Sequence, residues 1–287
     1  MKKFFVFFIC IGLLFQTAKL EGQFPGMDFF NEAFSAMQRA FDDLEFTPKD
    51  AYYLGRALAA NILSTHSPYT GNPCLTRYLN KICMAIAVNS AKPELFAGYR
   101  VIILDTLEFN AFATPGGHIL ITRGLIEAAT SEDELAAVIA HELAHIILEH
   151  GLGIVRKMEL SNHAALMAAR AAAFAGNPPA AQRLFVLRDS VTAIMDTMMK
   201  NGFSRYQEFE ADLKAMTLLA AAGYNPGALI DVLRILERVQ SSREGGFNST
   251  HPSPADRIAN AEAALNRYHV PDTSSYRQLR FNYIMNR

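Results

Sequence analysis

The chain has 287 residues, of which 51% are hydrophobic, so it can bury a sizeable core as one domain of fair size or two small ones. Its 27 Lys and Arg residues are almost balanced by 28 Asp and Glu residues, giving a formal net charge of -1. This balance argues against a nucleic-acid-binding protein, which normally carries a basic excess or a basic stripe.

The first residues have the layout of a secretory signal. Lys2 and Lys3 supply positive charge, an apolar run extends from Phe4 to Phe15, and polar or small residues follow as far as Ala18. The run is shorter than the roughly 20 apolar residues that a membrane-spanning helix needs. We therefore predict that residues 1–18 direct export and are removed, with the cleavage site left open.

Export would decide the redox environment of the three cysteines. Cys10 lies in the predicted signal, whereas Cys74 and Cys83 would meet an oxidising compartment. A helix between them would separate their Cα atoms by about 13 Å, too far for a disulfide without a helix break near Pro73. We favour free thiols over a disulfide, and the lack of a CxxC spacing argues against a zinc site built from cysteines.

The next predicted elements are two helices, a small sheet and a short helix. Their approximate ranges are 48–64, 73–88, 100–105, 111–113, 118–122 and 124–129. The strand candidates are short apolar runs, and a Pro-Gly-Gly turn separates the last two. A helical N-terminal part would therefore lead into a small sheet.

A strong helix is predicted to open at Ser131. Ser131 and Glu134 have the spacing of a capping box, and the acidic first turn suits the positive end of the helix dipole. We expect this helix to run to about His150 and to stop at Gly151 and Gly153.

Further helices are expected in the remainder of the chain. They comprise two stretches within 161–201, then 204–222, 227–240 and 254–268, the last being the final helix. Charged residues and prolines interrupt the stretches within 161–201, so we predict a helical hairpin outside the membrane, acting as a lid or as a contact surface for a partner or a membrane. The predicted class is α+β, mainly helical with a small sheet.

The sequence His-Glu-Leu-Ala-His at residues 141–145 lies inside the strong helix. A spacing of four puts His141 and His145 on one helix face, so both imidazoles can reach one tetrahedral zinc ion. Glu142 lies beside the first ligand and can take a proton from a metal-bound water. An ordinary packing role is hard to reconcile with these residues, because the rest of the helix is apolar and buried charges need partners.

A catalytic zinc ion needs a third protein ligand and one open position. Glu208 and Asp212 lie four residues apart on a predicted helix and therefore share a face. Glu208 could bind the metal while Asp212 orients a ligand histidine from behind. Spacing alone leaves Glu210 open as the alternative ligand.

At this point the chain resembles metallopeptidase family forty-eight, which includes the HtpX-like heat-shock proteases, the prenyl-protein proteases and exported periplasmic relatives. The matching stretches follow in family order: Asn110 to Gly124, the 141–145 motif, Glu208-x-x-x-Asp212, and His251-Pro252 followed by Arg257. The resemblance implies a gluzincin zinc-peptidase fold with one Zn²⁺ per chain. It also implies that Glu208, rather than Glu210, is the third ligand, with Asp212 behind the site.

The resemblance extends to substrate binding. In peptidases of this kind an edge strand pairs with the substrate backbone, through main-chain bonds that any extended peptide can make. We therefore expect the strand 118–122 to be such an edge and to offer His118, Ile119 and Leu120 to the substrate, with Asn110 nearby. An ordinary buried strand remains the alternative.

Three further residues are candidates for catalysis. His251 could bind the zinc ion and keep the enzyme latent, or donate to the oxyanion of the tetrahedral intermediate, or simply open the last helix. Tyr206 and Arg257 are candidates for substrate or oxyanion contact. We interpret His150 and His163 as ordinary surface or packing histidines.

Together these features predict an exported zinc endopeptidase of the periplasm or cell envelope, acting on polypeptides such as misfolded envelope proteins. Residues 99–287 would form the peptidase part, in one domain with residues 19–98. The alternative is a chaperone-like or adaptor protein that uses the cleft without cutting, but a pure binder has no use for Glu142. Prenyl-peptide processing would require a membrane chamber, which we do not find in the sequence.

Overall fold

The structure is a computed structural model that describes residues 46–156, 191–198, 202–240, 254–268 and 274–286. The helices are α1 (Pro48–Thr65), α2 (Pro73–Ala87), α3 (Arg123–Ala128), α4 (Glu132–Ile147), α5 (His150–Arg156), α6 (Arg205–Ala221), α7 (Ala228–Gln240), α8 (Pro254–Leu265) and α9 (Ser274–Met285). Residues 191–198 are also helical. The strands are β1 (Arg100–Leu104), β2 (Ala111–Thr114) and β3 (His118–Thr122). The predicted class, mainly helical with a small sheet, is confirmed.

Some predictions concern residues outside these ranges. The signal at residues 1–18, the greater part of the hairpin within 161–201, and the candidates His163 and His251 lie outside the described residues. These remain predictions from the sequence.

The first two helices begin where their capping residues predict. Thr47 Oγ1 accepts a hydrogen bond from Asp50 N, and Asp50 Oδ2 accepts one from Thr47 N, which closes a capping box before Pro48. Asn72 Oδ1 accepts from Leu75 N at the start of α2. Both caps satisfy backbone donors that have no partner inside the helix.

Helix α2 carries both cysteines of the described chain. Cys74 and Cys83 are free thiols, as we expected from their separation along one helix. Burial raises the pKa of Cys83 to about 12, so this thiol stays protonated and behaves as a packing residue.

The three strands form one sheet in the order β1-β3-β2. β3 pairs in parallel with β1 on one side and antiparallel with β2 on the other. The prediction that His118–Thr122 forms an open edge is therefore wrong, because both edges of this strand already carry ladder hydrogen bonds. Its lack of alternation has the same origin, since all five residues of β3 are buried.

The sheet lies between two apolar layers. One face, which includes Ile119 and Ile121, packs into the core formed with α2, α4, α6 and α7. The other face, which includes Leu120, packs with α1, α5 and residues 191–198. Helix α4 therefore rests on one face of the sheet, directly beside β2.

Helix α4 ends earlier than the sequence predicted. It stops at Ile147, and Gly151 and Gly153 lie inside α5 instead of ending the helix. The break occurs at Glu149, whose φ of 58° is in the left-handed region. The prediction followed the preference of helices for ending at glycine, whereas the chain uses glutamate at this position.

Helix α9 was missed, because we expected the helix at 254–268 to be the last. Only Arg277 and Phe281 of this helix are buried, so it has almost no apolar periodicity to detect. Arg277 Nε donates to Asp133 Oδ2 at 2.8 Å, which ties α9 to the start of α4.

No single helix among the described residues combines the length and the apolar composition needed to cross a membrane. Helices α4 and α5 meet the length and composition criteria only when they are taken together, and a bend of 41° separates them. Every residue of α4 is buried within the protein.

Candidate metal centre

Helix α4 carries the His-Glu-x-x-His motif through the core. Ser131 Oγ accepts from Glu134 N and fixes the start of the helix. The Glu134 carboxylate bonds Thr130 N and Thr130 Oγ1 instead, so only half of the predicted capping box forms. His141 and His145 are 3% and 1% exposed, and both reach side chains of α6.

Helix α6 supplies carboxylates to the same place. Ser204 and Gln207 close a capping box at its start, which sets the register of the helix. Glu208 and Asp212, one turn apart, are fully buried and face α4. Small side chains let the two helices approach closely, and the buried alanines of their shared core are Ala137, Ala140, Ala144, Ala211 and Ala215.

Three side chains converge on one point. His141 Nε2 lies 3.1 Å from His145 Nε2. Glu208 Oε1 lies 3.4 Å from His145 Nε2, and Glu208 Oε2 lies 3.5 Å from His141 Nε2. Of the two acids that spacing left open, Glu208 is the one that the fold brings to the histidines.

These distances match the donor set of a zinc ion. Donors at about 2.0–2.1 Å from a tetrahedral metal ion are about 3.3 Å from one another. The 3.1 Å between the two Nε2 atoms is close to that value, and each histidine has one Glu208 oxygen at a similar distance, Oε1 at 3.4 Å from His145 and Oε2 at 3.5 Å from His141. Two imidazoles and one carboxylate, all buried, also form the ligand set of a catalytic zinc site with a fourth position left open.

Asp212 and Arg257 lie behind the first histidine. Asp212 Oδ1 is 3.0 Å from His141 Nδ1, so the carboxylate accepts the imidazole proton and leaves Nε2 as the metal-facing atom. Arg257 donates to both Asp212 oxygens, at 2.8 and 2.7 Å, and its Nη1 is 2.8 Å from Glu208 Oε2. This arginine therefore fixes two carboxylates of the centre, and its contact with substrate or oxyanion stays a prediction.

The electrostatics of the centre favour a positive charge between the histidines. Burial and Arg257 act to lower the pKa of His141, but Asp212 and Glu208 outweigh them and raise it to about 9. Burial alone would raise the pKa of Asp212, yet Arg257 and His141 hold it below its usual range. A divalent cation would meet the same attraction that otherwise draws a proton.

The second histidine has a partner that sequence analysis missed. His145 Nδ1 lies 2.9 Å from His150 Nδ1, and His150 Nε2 lies 3.3 Å from Glu210 Oε2. We interpreted His150 as an ordinary histidine, but it is 5% exposed and contacts the motif. Phe203 stacks on the His145 ring with a centroid distance of 3.9 Å.

Glu142, the predicted base, is also buried beside the centre. It is 1% exposed and lines a small cavity of about 10 Å³ together with His141 and Arg257. Apolar side chains of α3, α4 and α7 form the rest of that wall: Leu125, Ala137, Val138, Leu229, Val232, Leu233 and Leu236. The volume corresponds to about one water molecule, which is the reactant that Glu142 was predicted to activate.

A larger groove of about 220 Å³ opens beside His145. We call it the entry groove. Its wall includes Ala113 and Thr114 of β2, residues of α1 and the loop around Phe96. No strand of the described chain pairs with the outer edge of β2. The groove and this edge together form a concave surface that leads to a proposed metal ligand.

The predicted substrate-binding residues lie in different environments, some in the core and one beside the edge of β2. Ile119 and Leu120 are fully buried in the two cores, and His118 stacks on Tyr52 of α1 at a centroid distance of 5.3 Å. Asn110 immediately precedes the β2 edge, and its Oδ1 accepts from Ala111 N at 2.9 Å. Of these four residues, Asn110 is the one that directly precedes β2, whose outer edge has no strand partner in the described part of the chain.

Tyr206 was also a catalytic candidate. Its side chain is 75% exposed at the start of α6, one turn or less before Glu208 along the helix. None of the contacts that converge on His141 and His145 in the described structure involves this ring. Tyr206 stays a prediction from the sequence.

The model of a family described as Peptidase family M48 matches residues 73–265, well over half of the chain. The match covers the sheet, both metal-site helices and α8.

Individual relatives carry protease names. The beta-barrel assembly-enhancing protease of Escherichia coli (strain K12) is 27% identical over 215 residues, covering 70% of this chain and 41% of that protein. The mitochondrial metalloendopeptidase OMA1 of Arabidopsis thaliana is 29% identical, covering 55% of this chain and 30% of that protein. The metalloprotease LoiP of Escherichia coli (strain K12) is 28% identical, covering 52% and 56%. The chain thus spans less than two thirds of the length of each of these relatives.

Proposed function

This chain belongs to peptidase family M48, and from that premise we propose that it is a zinc-dependent endopeptidase acting on proteins of the cell envelope. The observation that carries the proposal is the convergence of His141 Nε2, His145 Nε2 and the Glu208 carboxylate within 3.5 Å of one another. Those separations suit a tetrahedral metal ion, and Glu142 follows the first ligand in the chain.

The proposed mechanism assigns a task to each residue. When bound, Zn²⁺ polarises the substrate carbonyl and lowers the pKa of a water ligand to about 7. Glu142 accepts a proton from the attacking water and later passes it to the leaving amine. His141, His145 and Glu208 hold the metal ion and leave one position for the reactants, while Asp212 keeps His141 in the correct tautomer.

We propose that the substrate binds along the outer edge of β2 instead of along β3. An extended peptide can add to an open strand edge through main-chain hydrogen bonds, and it can place a side chain in an adjoining pocket. Ala113 and Thr114 belong both to β2 and to the entry groove, and the groove also reaches His145. A peptide on this edge would therefore pass close to the metal ligands.

The cellular setting is also a proposal. The charged and apolar start of the chain supports export, and a relative is named a beta-barrel assembly-enhancing protease. We propose periplasmic or envelope proteins that have misfolded or misassembled as the substrate class. Peripheral contact with the membrane or with an envelope protein agrees with that setting.

The proposal is tested with the purified full chain. We expect about one zinc ion per chain by elemental analysis, cleavage of casein, and loss of cleavage on treatment with a chelator. Glu142→Gln should keep the zinc and lose the cleavage, because it keeps the shape of the side chain and removes the base.

Two results would contradict the assignment. If the wild-type protein binds no metal after Zn²⁺ is supplied, the proposed metal centre is wrong. If the Glu142→Gln variant cleaves casein as well as wild type does, Glu142 is not the base and the proposed mechanism is wrong. Bound zinc without cleavage, in wild type and in His251→Ala, would favour the non-cleaving adaptor.

A further inference from the structure

The two metal-facing histidines are supported in different ways. His141 Nδ1 meets the Asp212 carboxylate directly, at 3.0 Å. His145 Nδ1 meets a second imidazole, His150 Nδ1, at 2.9 Å. The nearest carboxylate along that path belongs to Glu210, 3.3 Å from His150 Nε2.

Hydrogen-bond chemistry fixes the direction of this contact. A histidine that binds a metal through Nε2 carries its proton on Nδ1. His145 must therefore donate from Nδ1, and His150 must accept at Nδ1. A neutral His150 then carries its own proton on Nε2, where Glu210 Oε2 is placed to accept it. One set of tautomers satisfies every group from the metal position to the carboxylate.

We propose that His150 is a positioning residue for the metal ligand His145, and that Glu210 orients His150 in turn. This inference rests on the proposed function, because it assumes that His145 binds a metal ion through Nε2. It assigns His150 a role that the spacing of the motif does not reveal.

The break between α4 and α5 makes the contact geometrically feasible. In an uninterrupted α-helix, residues five apart point about 140° away from each other, so their rings could not meet. Glu149 adopts a left-handed φ of 58°, and α5 starts at His150 after a bend of 41°. The chain thereby turns the His150 ring back onto His145.

The strained residue is fixed by ion pairs. Glu149 lies 2.8 Å from Lys92 Nζ and 3.3 Å from Arg156 Nη2. A non-glycine residue in this conformation is strained, so the surrounding contacts must hold it there. Phe203 stacks within 3.9 Å of the His145 ring and limits its rotation. These contacts leave His145 with one orientation in which both nitrogens are used.

The test measures metal affinity rather than turnover. Zn²⁺ affinity of the full chain is determined by competition with a chromophoric chelator, and the visible spectrum of the Co²⁺-loaded protein reports the ligand geometry. The variants are His150→Leu, His150→Asn and Glu210→Gln. Glu237→Gln, an exposed acid on α7, is the matched surface control.

The expected results separate positioning from packing. His150→Leu should weaken Zn²⁺ binding by about 10–100-fold and change the Co²⁺ spectrum, since outer-shell partners of metal ligands have effects of that size. His150→Asn keeps an acceptor near Nδ1 and should recover most of the affinity. Glu210→Gln should show a smaller but measurable loss, of less than about tenfold, and Glu237→Gln should match wild type.

An affinity and a Co²⁺ spectrum of His150→Leu equal to those of wild type would overturn the inference. If His150→Leu does not fold, as judged by its urea unfolding curve, the Glu210→Gln variant decides, and equality with Glu237→Gln overturns it. A wild-type chain that binds no Zn²⁺ instead defeats the proposed function, so the two failures are distinguishable.

Discussion

Arg257 Nη1 lies 2.8 Å from Glu208 Oε2, and both side chains are almost completely buried. The same guanidinium holds Asp212 through two further hydrogen bonds. The guanidinium balances only one of the two carboxylates, and a proton on His141, whose pKa is raised, can balance the other. Because burying an uncompensated charge is costly, a metal cation that displaces this proton would find its charge matched by the same two carboxylates.

Replacement of Arg257 by methionine should destabilise the protein strongly. It would leave Glu208 and Asp212 buried and close together without their common partner, at a cost of about 3–5 kcal/mol in the free energy of unfolding. Urea unfolding of the chelator-treated protein measures the loss. The control is Arg234→Met, which removes an exposed pair with Glu262 and should cost less than about 1 kcal/mol. Similar losses in both variants would contradict this account.

The two acids of α6 should differ in zinc binding. Glu208→Gln removes the only carboxylate that reaches both ligand histidines in the described structure, so zinc should no longer co-purify or be retained after desalting. Glu210→Gln should retain about one zinc ion per chain, because Glu210 is in contact only with His150 in this cluster. Elemental analysis of both variants provides the measurement. Equal zinc contents would remove Glu208 as the third ligand.

Local sequence signals predicted most of the elements but not how the strands pair. Thr47 and Ser131 marked helix starts correctly because a cap is a contact within a few residues. The short apolar strand His118–Thr122 was also detected. The position of this strand in the centre of the sheet was not predicted, because strand order depends on partners elsewhere in the chain. Its apolar run was the available signal, since such a run is typical of a fully buried strand.

The candidate site shows the same division. The helical spacing of the motif predicted that His141 and His145 share a face, and the pairing of Glu208 with them needed the resemblance as well as the spacing. His150 was missed because its contact depends on the left-handed Glu149, and a non-glycine residue in that conformation leaves no signal in the sequence. The contacts of Arg257 with Glu208 and Asp212 were not predicted, because a buried arginine has the same sequence signature as one facing a cleft.

The stability of the protein should fall as the pH decreases from about 6.5 to 4, with His118 as one cause. Burial, together with Arg56 and Arg100, lowers the pKa of His118 to about 4. The unfolded chain therefore binds a proton on this residue at a pH where the folded chain does not. The stabilisation is present above pH 6.5 and is lost on acidification, by about 2 kcal/mol between pH 7 and pH 5.

The comparison with His118→Gln isolates this contribution. Glutamine does not titrate, so the variant should lose less stability than wild type between pH 7 and pH 5, while the two curves run parallel between pH 7 and pH 8. Urea unfolding of the chelator-treated proteins at each pH provides the data. Parallel curves over the whole range would show that His118 does not contribute.

The turn between β2 and β3 offers a test of how the strand edge is held next to α1. Gly116 and Gly223 both have positive φ, 74° and 80°, so an alanine at either position should cost about 1–2 kcal/mol from backbone strain. The space around them differs. A Cβ on Gly116 would lie 2.3 Å from Tyr52 Cα, whereas a Cβ on Gly223 would meet nothing within 4 Å. We therefore expect Gly116→Ala to lose about 1–3 kcal/mol more than Gly223→Ala in urea unfolding, because the backbone of α1 must move to accept the methyl group.

Gly116 also lines the entry groove, so casein cleavage should fall in this variant and persist in Gly223→Ala. Equal losses of stability would mean that α1 yields freely, and undiminished cleavage by a folded Gly116→Ala variant would argue against the β2 edge as the path of the substrate.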